Sequence, residues 1–154
     1  MAMKNWHCDH PVEPLTNESD PRPGERFLLQ ALADLGGFQP RKVLDFGCGS
    51  GRFVRSLRLL GLDASGCDVV AAWKGSDDPC VKHLSVMDLQ SPLRLPFPDE
   101  AFDSVVSTSV LEHADNKDEI FREIYRILTP GGQMLHFFPV SFTYRSSHTF
   151  MCLW

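Results

Sequence analysis

Asp45, Gly47, Gly49 and Gly51 stand at alternate positions in Val43-Leu44-Asp45-Phe46-Gly47-Cys48-Gly49-Ser50-Gly51-Arg52-Phe53, the stretch of the chain with the clearest capacity for chemistry. Glycines so spaced permit positive φ and leave no Cβ in the way. A flat, polar ligand can then lie against backbone N–H groups at the positive end of a following helix. A dinucleotide loop, G-x-G-x-x-G, would need its third glycine where Arg52 stands, and the Gly-Lys-Ser/Thr of a phosphate-binding P-loop is absent. Two further carboxylates could serve the same ligand. Asp68 closes a short apolar stretch, where an acid can accept hydrogen bonds from both hydroxyls of a ribose, although an aspartate there can equally cap a helix. Asp88, between Met87 and Leu89, could accept from an exocyclic amine while the apolar neighbours hold a ring, or could simply form a turn.

The elements that must position these residues follow from periodicity. Val43 to Phe46 reads as a buried strand. Phe53, Val54, Leu57 and Leu60 then recur at helical spacing until Gly61. Leu28, Ala31, Leu32 and Leu35 mark an earlier helix stopped by Gly36-Gly37. Further strands are expected at Ala64–Cys67, Val81–Val86, Val105-Val106 and Gln133–Phe138, with a short helix at best over Val70–Gly75. A helix is expected over Asp118–Leu128, halted by Thr129-Pro130-Gly131-Gly132. Strands alternating with helices imply an α/β fold, a parallel sheet with helices on both faces. The ligand belongs at the carboxyl ends of the strands, where Gly47, Asp68, Asp88 and Ser107 all fall. Arg52, Arg55 and Arg58 share a helix face that reads as solvated surface rather than as a basic docking patch.

The 154 residues, 43% of them hydrophobic, suffice for one sizeable core. The expected organisation is an extended arm over 1–23, a single ligand-binding domain over 24–139 and an incomplete terminal segment over 140–154. A net charge of −5 argues against a nucleic-acid partner and for small molecules. Five cysteines without a CxxC pair fit reduced thiols in a cytoplasmic protein, and no apolar run is long enough to span a membrane. The cluster Trp6-His7-Cys8-Asp9-His10 lacks the paired spacing of a metal module, so no metal site is expected.

Four phrases in order now support a resemblance. Asp-x-Gly-x-Gly-x-Gly, Gly66-Cys67-Asp68, Leu95-Pro96-Phe97-Pro98-Asp99-Glu100-Ala101-Phe102-Asp103, and Glu123-Ile124-Tyr125-Arg126-Ile127-Leu128-Thr129-Pro130-Gly131-Gly132 resemble the class I S-adenosylmethionine (SAM) dependent methyltransferases of the type 11 group over about residues 24–139. The resemblance implies a Rossmann-like sheet and SAM as cofactor. Its cofactor contacts would come from Asp45, Gly47, Cys48, Gly49 and Gly51, from Asp68 and Val69 at the ribose, from Met87, Asp88 and Leu89 at the adenine, and from Ser107. His113, in Leu111-Glu112-His113, is the one candidate base, although such a histidine can equally hydrogen-bond the backbone. Methyl transfer to a small-molecule or lipid-like acceptor is implied. The alternative is a SAM-binding module or inactive truncated homologue. The family's sheet usually continues with antiparallel strands, expected to be missing here. That would leave 133–138 as an open edge prone to self-association, unless residues 140–154 fold back across it as a covering segment.

Overall fold

The computed structural model describes residues 22–34, 41–90, 92–137 and, for backbone pairing only, 152–153. The arm, the Gly36-Gly37 stop and most of the terminal segment lie outside the described residues.

Six strands form one sheet in the order β3-β2-β1-β4-β5-β6. They are β1 (Lys42–Phe46), β2 (Asp63–Asp68), β3 (Leu84–Val86), β4 (Phe102–Thr108), β5 (Leu128–Phe137) and β6 (Cys152–Leu153). The first five run parallel. Helices α1 (Pro23–Asp34), α2 (Arg52–Leu59) and α3 (Lys117–Ile127) cover the two faces. This is the Rossmann-like α/β arrangement expected from the alternation of elements.

Side-chain alternation along the strands divides the core in two. Val43, Ala64 and Val106 pack with Leu28 and Leu32 of α1 and with Phe53, Val54 and Leu57 of α2. Leu44, Phe46, Cys67 and Val105 face Ile120, Ile124 and Ile127, which are stacked at one-turn spacing on α3. A strand buried on both faces carries apolar residues at successive positions, as Val43-Leu44 of β1 and Val105-Val106 of β4 do. Gly61, at φ 84°, reverses the chain after α2.

Three boundaries differ from the sequence reading. Residues 70–75 form turns rather than a helix, and Gly75 adopts φ 86° there. Asp78 caps a 3-10 turn over Pro79–His83 by accepting from the Cys80 N–H at 2.8 Å, which shortens the third strand to Leu84–Val86. Thr129 to Gly132 belong to β5 but bulge from it: Phe102 pairs with Leu128, and Ser104 with Gln133.

Of the two outcomes expected for the β5 edge, open or covered by the chain's own tail, a short antiparallel strand supplies the second. Leu135 pairs with Leu153 and His136 with Cys152, antiparallel, so β6 covers that part of the β5 edge. The premise for self-association through an open edge fails at these positions.

The Pro-rich connection before β4 is fastened to α3 by a buried carboxylate. Glu123 accepts from the Leu95 N–H at 2.8 Å and from Nε and Nη2 of Arg126 at 2.8 and 2.7 Å. Arg126 in turn donates to the Phe97 carbonyl at 2.9 Å and to Asp99 at 2.7 Å. The Arg126 hydrogen bonds hold the Glu123 carboxyl below its ordinary value. Removing that carboxylate strands a buried N–H and a guanidinium. Glu123→Ala is therefore expected to lower unfolding free energy by about 3 kcal/mol in denaturant titration at pH 7. Because the folded value is depressed, the contribution is present above the ordinary glutamate range and is lost as pH falls through the folded value. The gap between parent and variant should accordingly narrow in strong acid.

Candidate functional site

The parallel order reverses between β1 and β4, and a crevice opens outside their carboxyl ends. A cavity of about 350 Å³ occupies this place. Its floor is the glycine loop, Gly47 to Ser50, with Asp45 beneath. Thr108 and Ser109 form one wall, and the start of α1 closes over the top with Phe137.

The loop is held from the side of β2. The Gly47 and Cys48 N–H groups both donate to the Cys67 carbonyl, at 2.8 and 3.0 Å, and the Gly51 N–H donates to the Cys48 carbonyl at 2.9 Å. The Gly49 N–H donates to Asp68 Oδ2 at 2.8 Å, while Asp68 Oδ1 accepts from the Val70 N–H at 3.1 Å. Four loop donors are thus engaged within the protein. In this loop the glycines also act through conformation and absent side chains. Gly47, Gly49 and Gly51 have φ values of 79°, 56° and 82°. A Cβ at Gly47 would sit 2.3 Å from Val110 and one at Gly51 2.4 Å from Leu84, whereas one at Gly49 would meet nothing within 4 Å. Gly47 and Gly51 are packing glycines, and Gly49 opens the loop surface.

The expected site residues separate into groups. Asp45, Gly47, Cys48 and Gly49 line the cavity. Gly51 lies behind the loop, and Asp68 holds the loop from behind, each of its oxygens retaining a lone pair for another donor. Val69 is exposed, Met87 buried, and Leu89 packs against the core below β4. Asp88 is exposed and accepts from the Gln90 N–H at 2.9 Å, the turn-forming alternative. Ser107 is buried and hydrogen-bonded to Nδ1 of His136, away from the cavity. His113 is exposed on a 3-10 turn over Leu111–His113, and its N–H donates to the Val110 carbonyl at 3.0 Å. The structure does not bring it into the cavity.

Several lining residues escaped the sequence reading. Arg52 turns to Glu25 of α1, which accepts from its Nη2 with both oxygens at 2.7 Å. Arg55 pairs with Asp78 at 3.3 Å and Arg58 with Asp63 at 3.1 Å, so the three arginines are tied to carboxylates rather than forming a free basic patch. Ser109, at φ 55°, has no sequence signature for a left-handed residue. Arg22, Gly24, Thr108 and Phe137 reach the cavity only through tertiary packing.

Asp45 is the electrostatic extreme of the site. It is 4% exposed, and burial, reinforced by the charges of Glu25 and Asp68, raises its carboxyl from 3.8 to about 8. Burial likewise pushes the Cys48 thiol up to about 12, which makes it a poor nucleophile. Among the described residues no cluster suited to a metal ion is found. Since the folded value of Asp45 is raised, its contribution to stability is complete below 3.8 and is lost as pH rises toward 8. Asp45→Asn, neutral at every pH, should therefore leave the melting temperature nearly unchanged at pH 4 and raise it at pH 8, as thermal denaturation across that range would show.

Residues 44–136 match a family described as a methyltransferase domain. Methyltransferase GfsG of Streptomyces halstedii is 29% identical over 141 residues, covering 87% of this chain and 50% of that protein. The arsenite methyltransferase of Aquipseudomonas alcaligenes is 33% identical over 153 residues, covering 86% of this chain and 41% of its own. The solved S-adenosylmethionine dependent methyltransferase of Mesorhizobium loti superposes with a TM-score of 0.58 at 26% identity, over 75% of this chain and 53% of that one. The chain spans about half the length, or less, of these curated relatives. With its match over residues 44–136 and its crevice at the β1/β4 reversal, the chain belongs to the methyltransferase domain family.

Proposed function

We propose that this chain binds S-adenosylmethionine in the crevice between β1 and β4 and supports methyl transfer to a small-molecule or lipid-like acceptor. The observation that carries the reading is the open surface at Gly49, where a left-handed backbone with no atom near a would-be Cβ leaves room for a ligand to press against the loop. The donor set also fits. Asp45, whose carboxyl is raised to about 8 and so keeps its proton at neutral pH, offers an O–H donor and a carbonyl acceptor at the cavity, beside the Glu25–Arg52 ion pair and Arg22.

In this reading SAM supplies, when bound, a methyl group on a sulfonium whose leaving group is a neutral thioether. The protein's work is then to orient and to exclude water. Asp68 keeps the loop in its binding shape and offers its remaining lone pairs to ribose hydroxyls. Exposed Val69 is placed to pack on a ligand at the β2 end, with Asp88 beyond it at the β3 end. Phe137 and the backbone of α1 at Gly24 close the crevice. A Cβ at Gly24 would lie 2.7 Å from the Phe137 ring, so the approach permits no side chain. No protein nucleophile is required, and in this reading His113, which does not line the cavity, takes a structural role, its N–H donating to the Val110 carbonyl.

The acceptor class is supported by the names of relatives such as the arsenite methyltransferase and a sterol 24-C-methyltransferase of Aspergillus fumigatus. One mouse relative, 34% identical over 100 residues, has a name that refers to tRNA methylation, so net charge alone does not remove nucleic acid from the acceptors to be screened. Among the described residues no helix is long and apolar enough to cross a membrane.

Calorimetry with SAM and S-adenosylhomocysteine tests the reading. The parent chain should bind both. Gly49→Val should weaken binding by about tenfold or more, because a branched side chain both resists positive φ and fills the open surface. Absence of binding by the parent would refute the proposal. A separate expectation concerns turnover: His113→Gln should leave the methyl-transfer rate within about twofold, whereas a general base would cost about a hundredfold.

A further inference from the structure

Among the described residues, carboxylates from three different elements converge on the crevice, and their surroundings differ. Glu25 of α1 is paired through both oxygens with Arg52 and also accepts from the Arg22 N–H at 2.6 Å. Asp68 of β2 accepts from the Gly49 and Val70 N–H groups. Asp45 of β1 has neither an ion pair nor a hydrogen-bond donor among the described residues. Burial and the negative charges of Glu25 and Asp68 act on it, and each of these favours the neutral acid. The thiols beside it, Cys48 and Cys67, are themselves pushed up and carry no charge at neutral pH.

Asp45 is nevertheless within reach of a ligand. It lines the cavity. Its oxygens are not among the side-chain atoms that are both sealed from solvent and unpartnered, as Ser104 Oγ and His136 Nε2 are, so this unpartnered carboxyl keeps an accessible face. Parallel pairing with Gly66 on one side and Val106 on the other fixes the backbone that carries it. The site therefore stores a proton on the one carboxyl that has no internal counter-charge.

We propose that binding of a cationic ligand expels this proton, so that Asp45 becomes the ligand's counter-ion only on occupancy and the filling of the crevice is coupled to pH. This rests on the SAM-binding reading above, since SAM brings two cationic groups, a sulfonium and an ammonium. A positive charge in the cavity favours the ionised acid and offsets both burial and the two neighbouring carboxylates, drawing the carboxyl down from about 8. The balance is one proton passed from the Asp45 carboxyl to solvent for each ligand bound. By linkage, affinity rises by up to about tenfold per pH unit below the free protein's value and levels off above it.

Carbon-13 NMR of the Asp45 carboxyl, its signal identified by its loss in Asp45→Asn, reads the proton directly. At pH 7 the free protein should show the protonated acid, and the protein saturated with SAM the carboxylate. Calorimetry of the parent in buffers of different ionisation enthalpy should count close to one proton released per SAM at pH 7, and affinity should climb about tenfold between pH 6 and pH 7. S-adenosylhomocysteine, which keeps the ammonium and lacks the sulfonium, separates the two charges. Release with both ligands assigns the effect to the ammonium, and release with SAM alone assigns it to the sulfonium. A carboxyl already ionised in the free protein, or one that stays protonated with SAM bound, overturns the inference while leaving SAM binding intact. If the parent does not bind SAM, the SAM reading itself fails, and this inference with it.

Discussion

The site depends on the bond between Asp68 and the glycine loop. β1 delivers the chain to the switch point, and the loop must then reverse direction within a few residues to launch α2. Left-handed glycines allow that path but do not hold it. The Cys67 carbonyl and the Asp68 carboxylate, at the end of the neighbouring strand, hold it by accepting three of the loop's N–H groups. Parallel pairing of β1 with β2, Phe46 opposite Cys67, places those acceptors at the right height. The cavity is thus a consequence of strand register, and residues far from it contribute by keeping that register.

The second dependency runs through α1. Glu25 lies on the first turn of that helix, is 6% exposed and is ion-paired with Arg52 on the first turn of α2. The pair links the two helices across the mouth of the crevice. Close packing of Gly24 on Phe137, with Phe27 and Phe137 rings 6.0 Å apart, ties the same helix to the end of β5. These contacts bring β1, β4, β5 and α1 to one place, and charge and shape converge there.

Much of this was legible in the sequence because it rests on local rules. Alternate glycines after an apolar run, isoleucines at one-turn spacing and carboxylates closing strands all report backbone conformation directly, so the α/β architecture and the loop could be read residue by residue. What was not legible was set by tertiary packing. Arg52 reads as a surface residue by helical spacing alone, and only the approach of α1 makes Glu25 its partner. Ser107 and Thr108 are adjacent on β4, yet alternation points one toward His136 and the other toward the cavity. One place of error in register therefore exchanges a buried structural residue for a lining residue. β6 was missed for a different reason: two paired residues leave no periodic signal.

A ligand seated in the crevice would touch the glycine loop and the end of β4 together, since both line one cavity. Amide hydrogen exchange, measured with and without saturating S-adenosylhomocysteine, tests it most directly. Slower exchange is predicted at residues 47–53 and at 108–109 together, with little change on the outer face of α3. Protection confined to other segments, or a bound ligand that leaves the loop amides exchanging as before, would contradict it.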